Sequence, residues 1–102
     1  MKIVRVTYTV KPSFVEKNSE NIKAVMNELR RLNRPGINYF TCLSADGKTF
    51  IHTAFHQSEE DQKALNDLEV FKQFQQELKA SGLEVPPQQE VLTLIASSRD
   101  MF

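Results

Sequence analysis

From Lys2 to Lys11 apolar side chains return at every second position. Val4, Val6, Tyr8 and Val10 share one face, and Ile3, Arg5, Thr7 and Thr9 share the other, which is the period of a β-strand. Pro12 closes the run. Ser13-Phe14-Val15-Glu16 then has the spacing of a capping box, in which a hydroxyl and a carboxylate satisfy the first free amides of a helix. Val15, Ile22, Val25, Met26, Leu29 and Leu32 recur at helical spacing, with Lys23, Asn27, Glu28, Arg30 and Arg31 mostly opposite. This predicts an amphipathic helix with one buried stripe. Asn33-Arg34-Pro35-Gly36 stops it, because proline disfavours the helical conformation of the residue before it and has no N–H to donate.

Ile37 to Phe55 reads as two β-rich arms joined at Ala45-Asp46-Gly47-Lys48. Asp-Gly between such arms is a hairpin signal, since glycine accepts the positive φ of a tight turn. A turn centred there pairs Leu43 with Phe50, Thr41 with His52, Tyr39 with Ala54 and Ile37 with His56. The other face carries Phe40, Cys42, Ile51 and Phe55 among Asn38, Ser44, Thr49 and Thr53. No charged residue interrupts either arm from Ile37 to Leu43 or from Thr49 to Phe55. A sheet with one face in water alternates more cleanly, so both faces are expected to be covered. One chain of this size has helices for only one of them, which leaves the second to another copy of the chain.

Ser58-Glu59-Glu60-Asp61 starts a second helix, its acidic residues suited to the positive end of the dipole. Asn66-Asp67-Leu68-Glu69 repeats that signature. The expectation is a short helix to Leu65 or Asn66, a bend, and a longer helix to Ala80 with Leu68, Phe71, Phe74 and Leu78 on its apolar side. Ser81-Gly82 terminates it. Leu83 to Gln89, with Pro86-Pro87, reads as a connector, and Val91 to Ser97 as the last strand. Strand, helix, hairpin, helix and strand together predict an α+β, ferredoxin-like βαββαβ sandwich with a four-stranded antiparallel sheet. Residues 1–98 form its single domain and 99–102 a tail. Val4, Val6, Tyr8 and Val10, or the alternative face, would close sheet to sheet with a twin as a dimeric barrel.

Composition narrows the function classes. Thirteen basic and thirteen acidic residues cancel, so no broad field steers the chain toward nucleic acid or anionic lipid. No segment reaches the ~20 apolar residues of a membrane span, and the expected location is the cytoplasm. Cys42 is the only cysteine; it excludes an intramolecular disulfide and reads as a buried, inert strand residue. His52 and His56 share a strand face but stand about 13 Å apart at the usual rise, too far for one metal ion. If the protein has a catalytic base, a histidine of near-neutral pKa is the natural group to take a proton from a substrate hydroxyl. Tyr39 is placed to orient a substrate oxygen, and Arg5 and Thr7 to add polar contacts if their side faces the pocket. No nucleophile elbow or phosphate loop is present.

Three stretches carry a resemblance over nearly the whole chain: TFIHTAFHQSEEDQKAL, LEVFKQFQQEL and PPQQEVLTLIASS. Their order and spacing resemble the dimeric α/β-barrel superfamily, in particular the antibiotic biosynthesis monooxygenase (ABM) group. That resemblance implies a homodimer joined through the sheet face. It also implies a pocket between sheet and helices that oxygenates small aromatics such as quinols or anthrones with no metal or flavin cofactor, or cleaves haem. The Asn, Trp and His of haem-degrading relatives match Thr7, Leu65 and Gln75 here, and the chain has no tryptophan. His56 takes the third-strand position where many ABM relatives carry Trp. The candidate site is therefore His52 or His56 as the base, with Arg5, Thr7, Tyr39, Leu65, Phe71, Phe74 and Gln75 around the substrate. The alternative is a non-catalytic, small-ligand-binding or stress-associated dimer in which the histidines are structural.

Overall fold

A computed structural model describes residues 1–102. Strand β1 (Lys2–Thr9) leads through a 3-10 turn at Pro12–Phe14 into helix α1 (Val15–Leu32). The hairpin β2 (Ile37–Leu43) and β3 (Thr49–His56) follows, then α2 (Glu59–Asn66), α3 (Glu69–Ala80) and β4 (Val85–Leu92). The strands lie in the order β2-β3-β1-β4, every neighbouring pair antiparallel. This is the ferredoxin-like α+β arrangement expected from the order of elements.

The hairpin has the register set by its turn, from Ile37 opposite His56 to Leu43 opposite Phe50. Gly47 supplies the left-handed residue at φ 74°. The Asp46 carboxylate accepts from the hydroxyls of Ser44 and Thr49 and from the backbone N–H groups of Lys48 and Thr49. Those bonds, the Thr49 hydroxyl first, hold its carboxyl well below the usual range. Helix α1 ends as expected, with Asn33 in the left-handed region at φ 49°. The break between α2 and α3 also falls where the second start signal stands.

Ser13 does not cap α1. Lys11 C=O accepts the Phe14 N–H, Pro12 opens a 3-10 turn, and Phe14 at the helix N-cap makes no side-chain bond. Proline's fixed φ suits the first helical position, so the turn serves where the serine was expected to. The reciprocal cap occurs at α2 instead: Asp61 N–H donates to Ser58 Oγ, and that hydroxyl donates to Asp61 Oδ2. Leu68, with no side-chain bond, precedes α3.

The last strand is Val85–Leu92, not Val91 to Ser97, and the expected connector is mostly strand. Between the pairs Thr7–Gln88 and Thr9–Val85, one residue of β1, Tyr8, is opposed by two of β4, Pro86 and Pro87. The prolines thus sit in a bulge on an edge strand, the setting in which a sheet tolerates a missing N–H. Residues 93–102 form no helix or strand, and Ile95 is 93 % exposed.

Of the two faces left open by the sequence, the helices cover the one that carries Val4, Val6, Tyr8 and Val10. Tyr8, Val10 and Phe50 pack with Ile22 and Val25 of α1, Leu65 of α2, and Phe74 and Leu78 of α3 in one core, with Val6 packed against it. Val4, Val6, Tyr8 and Val10 therefore point to the helices and cannot form the twin-facing surface. The opposite side carries Ile3, Arg5 and Thr7, their β3 neighbours Phe55, Thr53 and Ile51, and Asn38, Phe40 and Cys42 of β2. Phe40 is 47 % exposed there, and Cys42 is exposed rather than buried. No helix is long and apolar enough to cross a membrane.

Candidate functional site

Four elements bring five polar side chains together under the helices. His52 of β3 stands opposite Val6 of β1 and Thr41 of β2, so strand register puts it in the middle of the helix-facing side. Tyr8 OH lies 2.8 Å from His52 Nε2. On the other side of the ring, His52 Nδ1 lies 2.6 Å from Tyr39 OH and 3.0 Å from Thr41 Oγ1. Asn18 of α1, fully buried, donates from Nδ2 to Tyr8 OH at 2.8 Å. The result is a continuous chain, Asn18 to Tyr8 to His52 to Tyr39.

Aromatic rings surround it. Phe74 lies 5.5 Å from the His52 ring and 5.9 Å from Phe71, which meets Tyr39 edge-on at 6.5 Å. Two lobes of a cavity, about 260 and 330 Å³, share Val6, Tyr39, His52, Phe71, Gln75 and Gln89. One lobe runs on to Lys79, Leu83 and Pro87, the other to Gln62, Leu65 and Asn66. An apolar hollow with a few convergent polar groups is the usual form of a small-molecule site. A larger open groove of about 690 Å³ between α1 and β2 touches Tyr39 and Thr41 but not His52. Phe40 and Phe50 also line it, but neither Tyr8 nor His52 of the buried chain reaches it.

Burial governs the titrations. The His52 pKa is pushed down to about 4, and the Tyr8 and Tyr39 hydroxyls are held well above the ordinary phenol range. All three are neutral at neutral pH. His52 is not the near-neutral base expected from the sequence: its affinity for a proton is low, and both ring nitrogens are bonded to protein hydroxyls.

A pH dependence follows. Between pH 6.5, the ordinary histidine value, and about 4, the unfolded chain binds a proton at residue 52 that the folded chain refuses. Stability rises with pH wherever the unfolded state binds more protons. The contribution of neutral His52 is thus fully present above 6.5 and is lost as pH falls toward 4. The shift corresponds to about 3 kcal/mol. Urea unfolding at pH 7, 5.5 and 4 should show that loss, and His52→Gln should flatten most of it. His56, which burial lowers in the same direction although Asp61 opposes it, adds to the slope, and the depressed carboxylates, Asp46 foremost, add to it near pH 4.

Of the residues singled out from the sequence, His52, Tyr39, Leu65, Phe71, Phe74 and Gln75 line the cavity. Three do not. Arg5 and Thr7 alternate with Val4, Val6 and Tyr8 and so project from the other face of the sheet. His56 is buried at the end of β3, with Nδ1 unpartnered, and lines neither lobe. No three His, Cys, Asp or Glu side chains converge on a metal-sized point. Tyr8, Asn18, Thr41 and Gln89 were not anticipated. Asn18 had a signal: it falls three residues after Val15 and four before Ile22, a polar residue on the apolar stripe.

No protein-family model and no curated protein matches the sequence. Solved structures do match in fold. A "putative antibiotic biosynthesis monooxygenase" from Nitrosomonas europaea is 17% identical, covering 92% of this chain and 89% of its own, with a TM-score of 0.76. A protein of the same description from Deinococcus radiodurans is 12% identical over 100% of both chains, TM-score 0.76. A third, from Bacteroides thetaiotaomicron, is 14% identical over 99% of this chain and 96% of its own, TM-score 0.79. The chain thus has, from end to end, the α+β fold of structures described as antibiotic biosynthesis monooxygenases.

Proposed function

We propose that the cavity binds a small, electron-rich hydroxyaromatic of the quinol or anthrone class and that the protein oxygenates it with molecular oxygen and no cofactor. The observation that carries this reading is the Tyr8–His52–Tyr39 chain inside an aromatic-walled cavity. The shared fold adds to it. Flat rings find faces to stack on in Phe71 and Phe74, and Tyr39 provides the hydroxyl that meets the substrate oxygen. A substrate held as its oxyanion passes one electron to O₂, and the two radicals combine at carbon to give a peroxide. For an anthrone-type CH₂ the balance closes without another reductant: one oxygen atom enters the product as C=O, and the other leaves as water with the two methylene hydrogens. His52 acts through Tyr39 by orienting it, not as the base, and the proton lost from the substrate oxygen passes to solvent.

The sheet face away from the helices, where Phe40 is exposed and Ile51 and Phe55 are half-buried, is proposed to close against a second copy of the chain. Large exposed apolar patches mark association surfaces, and the cavity lies on the other side, so each subunit would keep its own site.

A second reading is a ligand-binding protein without catalysis. It is favoured by one observation, that both His52 nitrogens are engaged within the protein and no free base faces the cavity. An oxygen electrode separates the two with a panel of anthrones and quinols at pH 7. Uptake of one O₂ per ketone formed, above the spontaneous rate, supports the oxygenase. Tight binding with no added uptake supports the binder, and failure to bind any of the panel rejects both.

A further inference from the structure

We infer that the buried hydrogen-bond chain runs one way, from the Asn18 amide through Tyr8 and His52 to Tyr39, so that the cavity offers a donor O–H and selects a ligand oxygen that accepts: a ring carbonyl or an oxyanion. Asn18 is the positioning residue that sets this direction. The inference rests on the proposed aromatic-binding role of the cavity and names the chemistry that site takes.

Asn18 sets the direction at one end of the chain. Its Nδ2 donates to Tyr8 OH, and its Oδ1 is buried with no partner. Turning the amide over would pair Oδ1 with the Tyr8 hydroxyl but take from the Nδ2 N–H the acceptor it now has. Orphaned buried N–H groups are rarer than under-satisfied carbonyl oxygens, so the donating orientation is favoured. With Asn18 donating to its oxygen, Tyr8 must place its own O–H, and the acceptor in reach is His52 Nε2 at 2.8 Å. A proton on Nε2 would leave the Tyr8 O–H aimed at nothing.

A neutral imidazole whose Nε2 accepts carries its proton on Nδ1. The geometry there agrees. Two hydroxyls, at 2.6 and 3.0 Å, face Nδ1. They cannot both donate into the single in-plane lone pair of a ring nitrogen, whereas one N–H can be shared between two acceptors. Tyr39 therefore accepts from His52, and the Thr41 hydroxyl beside it donates to the same phenol oxygen, which leaves the Tyr39 O–H to point outward. Tyr39 lines both lobes of the cavity, and at neutral pH that phenol keeps its proton. A ligand carbonyl or phenolate oxygen completes the chain.

The experiment reads His52 directly. Side-chain nitrogen NMR of the ¹⁵N-labelled, ligand-free protein at pH 7 should show the imidazole proton on Nδ1. In Asn18→Asp, at a pH where the new carboxylate is ionised and can only accept, the Tyr8 O–H turns toward it and the imidazole proton moves to Nε2. Binding supplies the second arm. 1-Tetralone, whose oxygen only accepts, should bind the wild type about tenfold more tightly than tetralin, which has no oxygen. Tyr39→Phe should erase that advantage while leaving the Nδ1 tautomer in place. A proton on Nε2 in the wild type, or equal affinity for tetralone and tetralin, would overturn the inference. The tautomer is measured without substrate or oxygen, so a failed oxygenase reading and a failed hydrogen-bond direction are told apart.

Discussion

Replacing Tyr39 by phenylalanine is expected to slow oxygenation of a bound anthrone by about 10²–10³-fold, the loss typical when one preorganised donor to a developing oxyanion is removed. The substitution deletes one oxygen atom and keeps the ring that meets Phe71 edge-on. Binding through the aromatic walls should therefore fall far less than turnover. A stopped-flow assay that resolves kcat from KM checks this: most of the loss belongs in kcat. Equal losses in stability and activity would instead mean that the hydroxyl is only part of the packing.

The second large effect is on stability. Phe74→Ala should cost about 3–5 kcal/mol, because a buried phenylalanine leaves both lost transfer energy and a void. Phe74 is 5 % exposed, belongs to the central core, and lies against both His52 and Phe71. For a domain whose whole stability is about 5–15 kcal/mol, that is a large share. Urea denaturation should show a lower midpoint with a nearly unchanged slope. The void would also join the ligand cavity, so larger ring systems should bind Phe74→Ala better, relative to small ones, than they bind the wild type.

Most features governed by short-range chemistry were legible in the sequence, the exception being the capping box at Ser13, which the Pro12 turn displaces. The Asp46-Gly47 turn sets the β2–β3 register, and the acidic start at Ser58 and the second signal at Asn66 divide α2 from α3. Features governed by distant partners were not. VLTLIAS has strand-forming residues, yet pairing with β1 falls on VPPQQEVL, because an edge strand with a bulge at Tyr8 can hold two prolines. Alternation in β1 separated its two faces but could not say which one the helices cover; that depends on where Ile22, Val25, Phe74 and Leu78 converge. Arg5 and Thr7 were lost from the site for this reason.

His52 was visible as a candidate but its chemistry was not. The sequence gives a histidine its ordinary pKa, and only burial among Tyr8, Tyr39 and Phe74 pushes it down to about 4. The hydroxyls that occupy both nitrogens come from two other strands. Asn18 lies on a helix 34 residues away in sequence, and its link to the site exists only through Tyr8. A polar residue on an apolar stripe marks such a link without naming its partner.

Ligand is expected to bind between the sheet and α3, against Tyr39 and His52, and not in the larger groove beside β2. This is tested most directly by titrating the ¹³C,¹⁵N-labelled protein with 1-tetralone and following side-chain resonances. Shifts should concentrate on Tyr39, His52, Phe71, Phe74 and Gln75. Shifts confined to Lys23, Met26, Arg30 and Leu43 along the α1–β2 groove would contradict it.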